Sequence, residues 1–126
     1  MLTNVIMQKN KKEITTASSQ CPFRQTLDTL DGKWKFAIIY ELFKKETYRF
    51  KELERQIEGI TARMLIKELK SLEQSDIISR KQYPTVPPKV EYSLTEYGAS
   101  LEPIMKVMTE WGKKHMLRNE NKMAVN

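Results

Sequence analysis

The chain has 126 residues, of which 40% are hydrophobic, 9% aromatic and 30% charged; that mixture fits one small globular domain and excludes a two-domain enzyme and wholesale disorder. Lysine and arginine number 22 against 16 acids, a formal charge of +6, which suggests a polyanionic partner without separating DNA from RNA or an anionic membrane surface. Between Lys33 and Lys89 there are 13 basic and 8 acidic residues, so +5 of the excess lies in the middle of the chain.

The opening stretch MLTNVIMQKNKKEITTASSQ holds only the short apolar run Val5-Ile6-Met7 before a lysine cluster, too little for a secretory signal or a membrane span. It reads as the N-terminal tail, residues 1–20, of a cytoplasmic protein. In CPFRQTLDTLDG, Phe23, Leu27 and Leu30 recur at helical spacing, with Pro22 as first helical residue and Gly32 as the stop. The next segment, KWKFAIIYELFKK, is apolar in nearly every direction and predicts a central, buried helix. YRFKELERQI follows as a third helix with Phe50, Leu53 and Ile57 on one side, ended by Gly59. Thr61 is the expected N-cap of a fourth helix running to about Ser75, with Ile60 and Leu65 as a hydrophobic staple.

The period then changes. Ile77 to Tyr83 is β-branched at its start and polar later, Lys89 to Leu94 alternates polar and apolar, and the prolines of PTVPP between them stiffen the connection, so a β-hairpin is predicted. Thr95 caps a last helix carrying Leu101, Ile104, Met108 and Trp111, which Pro103 should bend or split. From Asn119 onward a second frayed end is expected.

Two helices joined by a tight turn and followed by a hairpin outline a winged helix-turn-helix domain. At about 100° per residue, Arg63, Lys67 and Lys70 share one stripe of the fourth helix, while Ala62, Leu65, Ile66, Leu69 and Leu72 form its apolar face. Arg63 suits bidentate readout of guanine, Lys67 and Lys70 suit phosphates, Thr61 a phosphate, and Met64 a thymine methyl. On the stripe alone, a solvated lysine-bearing face is the alternative; the order of elements favours DNA. Arg80, Lys81 and Lys89 flank the prolines and suit a phosphate strand or the minor groove, unless they only keep an exposed hairpin from aggregating. Arg49 and Lys51 are further backbone candidates, with solubility as the alternative.

CPF…LDGKWKFAIIYEL, YRFKELERQIEGITARMLIKELKSLEQSDII, YPTVPPKVEYSLTEYGASL and EWGKKH together resemble the HxlR-type winged helix-turn-helix transcriptional regulators of bacteria, over residues 21–115. The resemblance implies an α+β, mainly α fold: a winged domain over residues 21–116 that includes N- and C-terminal dimerisation helices, then a C-terminal tail at 117–126. It also implies a homodimer on an inverted-repeat operator, with Thr61, Arg63, Met64 and Lys67 in the recognition helix and Arg80, Lys81 and Lys89 in the wing.

A dimer has its own physical basis, because a one-helix reader gains specificity from two half-sites on one DNA face. Leu101, Ile104, Met105, Met108 and Trp111 would supply its interface, except where they pack within their own subunit. Gly98 and Gly112 are candidates for close helix approach, with a mere lowering of helix stability as the alternative. Cys21 is placed at a helix N-cap, where the dipole favours a thiolate. The resemblance makes it a candidate redox or electrophile sensor; the alternative is a buried small hydrophobe. One cysteine and one histidine, His115, exclude a cysteine-rich zinc site and give no spacing for a nucleophile–base pair, so neither enzymatic activity nor a cofactor or metal is expected. His115 is expected to complement a helix C-terminus. Double-stranded DNA is the expected partner, RNA polymerase a further candidate. A winged-helix module that binds protein without an operator is the alternative function.

Overall fold

Caps and turns set where the chain changes direction. A computed structural model describes residues 20–125; apart from Gln20, the expected N-terminal tail lies outside them. Helices α1 (Pro22–Thr29), α2 (Lys35–Lys44), α3 (Phe50–Gln56) and α4 (Ala62–Gln74) come first, then strands β1 (Ile78–Tyr83) and β2 (Lys89–Leu94), then helices α5 (Glu96–Ala99) and α6 (Glu102–Val125). Between α3 and α4 the backbone turns at Gly59, whose φ of +88° suits glycine. Thr61 then accepts the backbone N–H of Met64 at 3.2 Å, satisfying one free donor of α4. Ile60 and Leu65, the expected staple, are both buried.

Ile38, Ile39 and Leu42 of α2, Leu53 of α3, Leu65, Leu69 and Leu72 of α4, and Ile77 and Ile78 entering β1 form the core. Each such side chain contributes on the order of 1.5–3 kcal/mol on burial, so these residues hold α2, α3 and α4 together. The strands pair antiparallel from Ile78↔Leu94 to Tyr83↔Lys89. Tyr48, between α2 and α3, adds an isolated bridge to Tyr92, with backbone bonds of 2.9 and 2.8 Å. The hairpin is thereby tied to the root of the helix-turn-helix. The arrangement is a winged helix-turn-helix with additional helices at both ends.

Thr95 caps α5 by accepting the N–H of Gly98 at 2.9 Å, while its own hydroxyl lies within hydrogen-bond distance of the carbonyls of Asp76 (2.6 Å) and Ile77 (3.1 Å). The last helical segment is split, as Pro103 predicts: α5 stops at Ala99, and Pro103 sits in the first turn of α6, where its missing N–H costs nothing. Two expectations about the C-terminus are corrected. No frayed end begins at Asn119, because α6 continues to Val125. His115 is consequently inside the helix, where it stacks on Trp111 with ring centroids 4.9 Å apart, and does not sit at a helix C-terminus.

Candidate nucleic-acid interface

Helix α4 packs through Leu65, Leu69 and Leu72, which leaves the opposite side outward. Thr61, Arg63, Met64, Lys67 and Lys70 are all exposed there. Arg63, Lys67 and Lys70 make no ion pair or side-chain hydrogen bond among the described residues. The Thr61 oxygen is occupied by the cap, but its O–H remains a donor. The expected apolar face is narrower than the sequence suggests. Ala62 is exposed and Ile66 is 47% exposed, facing a cleft lined also by Phe50, Lys70, Glu73, Arg80 and Tyr92.

That cleft divides the basic residues of the hairpin between its two faces. Arg80, Lys81 and Lys89 do not form one cluster, because adjacent strand residues point to opposite faces. Arg80 pairs across the strands with Tyr92 and lines the cleft beside Lys70. Lys81 and Lys89 lie on the other face, their Nζ atoms each 5.0 Å from the centre of the Tyr83 ring. Tyr83 donates its hydroxyl to Glu91 at 3.0 Å, and Lys89 pairs with Glu91 at 3.3 Å. Partial desolvation of Glu91 opposes its charge, yet the bonds from Tyr83 and Lys89 hold its carboxyl below the usual range. Lys89 is thus half-buried and engaged, whereas Lys81 is exposed. Sequence reasoning missed Tyr83; its signal was the spacing of two from Lys81, which places both on one strand face.

At the start of α3, the backbone N–H of Arg49 donates to Glu52 at 2.8 Å, while the Arg49 side chain is exposed. Lys51 is exposed and pairs with Glu54 at 3.4 Å. A surface pair of this kind is worth little, so Lys51 remains available to a phosphate.

A second missed feature lies beneath α4. Lys35 and Glu68 are buried together, Nζ to Oε1 2.8 Å, with side chains 9% and 12% exposed. Burial alone would lower the Lys35 pKa, but hydrogen bonding and charge from Glu68, with a smaller share from Asp31, hold it above the usual lysine value.

Toward the ends of the chain, Cys21 is the N-cap residue of α1 and is exposed, not the buried hydrophobe of the alternative. On α1, Phe23 is 70% exposed, and Leu27 is exposed as well. The expected dimer set divides. Leu101 packs against the core and Met105 is 9% exposed, so Met105 is spent within its own subunit. Ile104, Met108 and Trp111 face outward, with Trp111 67% exposed, and α6 continues with exposed Met116 and Leu117. Among the described residues, no group of three His, Cys, Asp or Glu side chains is placed to hold a metal ion, and no helix is long and apolar enough to cross a membrane.

The profile of the HxlR-like helix-turn-helix family matches residues 29–120. An uncharacterised HTH-type transcriptional regulator of Halalkalibacterium halodurans is 51% identical over 94 residues, 75% of this chain and 83% of that protein. Among solved structures, the redox regulator HypR in its oxidised form is 48% identical with a TM-score of 0.70, over 75% of this chain and 96% of HypR. The reduced form of the transcriptional regulator YodB from B. subtilis is 36% identical with a TM-score of 0.65, over 75% and 92%. The chain belongs to the HxlR-like helix-turn-helix family of transcriptional regulators.

Proposed function

We propose that the protein is a cytoplasmic, non-catalytic transcriptional regulator that binds an inverted-repeat operator in duplex DNA as a homodimer. The observation that carries this reading is the stripe of free cations on α4: Arg63, Lys67 and Lys70, outward and unpaired on the second helix of a helix-turn-helix. The major groove, about 12 Å wide, admits one such helix. Arg63 reads a base edge near its N-terminus, Met64 meets a thymine methyl, Lys67 and Lys70 meet phosphates, and Thr61 donates its hydroxyl to another. Lys81 contacts the backbone from the wing and Arg80 from the cleft beside α4. Arg49, Lys51 and Lys89 add weaker backbone contacts.

The exposed apolar residues of α1 and α6, namely Phe23, Leu27, Ile104, Met108 and Trp111, form the subunit interface. Dimerisation places two copies of α4 about 34 Å apart, one turn of DNA. Occupying a promoter in this way blocks or recruits RNA polymerase. HypR is by name a redox regulator, and Cys21, exposed at the head of α1, is the residue through which this chain senses an oxidant or electrophile. With one cysteine per chain, the disulfide joins Cys21 of two subunits or Cys21 and a small thiol.

Fluorescence anisotropy on duplexes selected from a random pool tests the core of the proposal. Binding should weaken with salt at about −0.9 in log K per log salt for each phosphate contact. Failure to bind any duplex at low salt would sink it.

A further inference from the structure

We infer that the buried pair Lys35–Glu68 sets the rotation of α4 about its own axis, and so decides which side chains meet the bases; this rests on α4 being the recognition helix. Besides this pair and the backbone bond from Ile77 to Leu72 at its C-terminal end, α4 is seated through the buried side chains of Leu65, Leu69 and Leu72, and apolar contact is non-directional. Close packing opposes a large turn of the helix but specifies its angle less sharply than a bond between two fixed atoms does. With side chains its diameter is about 10–12 Å, so a 20° turn moves its outer atoms by about 2 Å. Sites that read chemical groups tolerate displacements of about 0.5 Å.

Glu68 lies on the flank of α4, between the leucine face and the outward stripe, and its carboxylate receives Lys35 Nζ at 2.8 Å. Lys35 is itself the first residue of α2, and its ammonium lies 3.5 Å from both the carbonyl and a carboxylate oxygen of Asp31, in the loop after α1. Gly32 brings that loop alongside: a Cβ placed there would lie 3.9 Å from the second Glu68 oxygen. A directional bond therefore ties α4 to α2 and to the loop after α1, adding an angular restraint on the flank of the helix that the leucine packing does not itself supply. Stability does not account for it, because a buried ion pair is commonly replaceable by apolar side chains without loss. Lys35 and Glu68 are positioning residues that contact no DNA.

The test uses the full chain, an operator selected with wild type, and a scrambled duplex of equal length. Failure of wild type to select any sequence would count against the DNA-binding reading itself and is read separately. K35M/E68L leaves the net charge unchanged and should melt at or above the wild-type temperature. Its affinity for the operator should fall about tenfold per half-site, the loss of roughly one base contact. Affinity for the scrambled duplex and the salt slope should stay as they were. K35R, which keeps the pair, should retain the wild-type ratio of operator to scrambled affinity. Should K35M/E68L not fold, K35Q measured well below its melting temperature must show the same narrowed ratio. A purely structural role would move the melting temperature and leave the ratio alone. A wild-type ratio in folded K35M/E68L, or in K35Q where it replaces the double variant, would overturn the inference.

Discussion

Gly98→Ala is the sharpest perturbation the fold offers. A Cβ at residue 98 would stand 2.0 Å from the carbonyl oxygen of Ile77, against 3.4 Å or more for ordinary contact. The obstacle is backbone, so α5 and the Ile77 peptide must separate by about 1.4 Å. That distance is enough to break the contacts of 2.6 and 3.1 Å between the Thr95 hydroxyl and the Asp76 and Ile77 carbonyls. Overpacking costs about 1–3 kcal/mol and a lost hydrogen bond roughly 1, against which alanine regains up to about 1 in helix propensity. A net loss of about 1–3 kcal/mol, at roughly 4–8 °C per kcal/mol for a domain of this size, lowers the melting temperature on the order of 10 °C. Gly112→Ala is the internal control: nothing lies within 4 Å of its Cβ in the subunit, so alanine there should raise helix stability by about 1 kcal/mol or less. Thermal unfolding followed by circular dichroism at fixed protein concentration gives both values. A Gly98→Ala chain that melts at or above wild type would refute the contact and the docking of α5 derived from it.

The remaining predictions concern the site and its supports. Arg63→Ala should cost about 1–3 kcal/mol and relax sequence preference, whereas Lys81→Ala should weaken all sequences alike and lower the salt slope by about one, as anisotropy over a salt series would register. Interchanged effects would mean that the recognition and wing roles are reversed. Diamide should abolish operator binding by wild type and leave Cys21→Ser unaffected; equal responses in gel shift would remove Cys21 as the sensor. Glu52 is held below its usual pKa by the Lys45 ammonium and then by the Arg49 backbone N–H. A depressed folded-state pKa contributes stability above the unfolded value, near 4.5, that is lost as pH falls through the folded one. The melting-temperature gap between wild type and Glu52→Gln should thus shrink from pH 6 to pH 3, and a constant gap would contradict the assignment.

Much of the fold is legible because its signals are local. Thr61 and Thr95 mark helix starts through hydroxyls that reach three residues along the chain. Gly59 marks the turn through a backbone angle most residues avoid. The pair of Lys35 with Glu68 left no such mark: the partners are 33 residues apart, and a helical wheel counts a glutamate as polar whether or not a lysine waits beneath it. The end of α6 was hidden for another reason. Apolar periodicity fades near Asn119, but Glu120, Lys122, Met123 and Ala124 are good helix formers, and the backbone continues without a face to bury. The division of Arg80 from Lys81 was legible and overlooked, since a period of two separates any adjacent pair on a strand.

Ion pairing sorts the excess positive charge more finely than its position along the chain. Glu41, Glu52, Glu54, Glu68 and Glu91 take up Lys44, Lys45, Lys51, Lys35 and Lys89. Most of these pairs tie neighbouring turns of one helix, one strand or the α2–α3 junction, and only Lys35–Glu68 is buried between helices. Among the described residues, no acid pairs with Arg63, Lys67, Lys70, Arg80 or Lys81. A cation already bound to a carboxylate must exchange one anion for another when it meets a phosphate, whereas a free cation adds a contact and releases the counterions condensed on DNA. The free set, on α4 and the adjoining wing strand, should therefore carry most of the salt dependence. Lys51 and Lys89, though basic and near the same surface, should contribute less to it than Lys67 or Lys81.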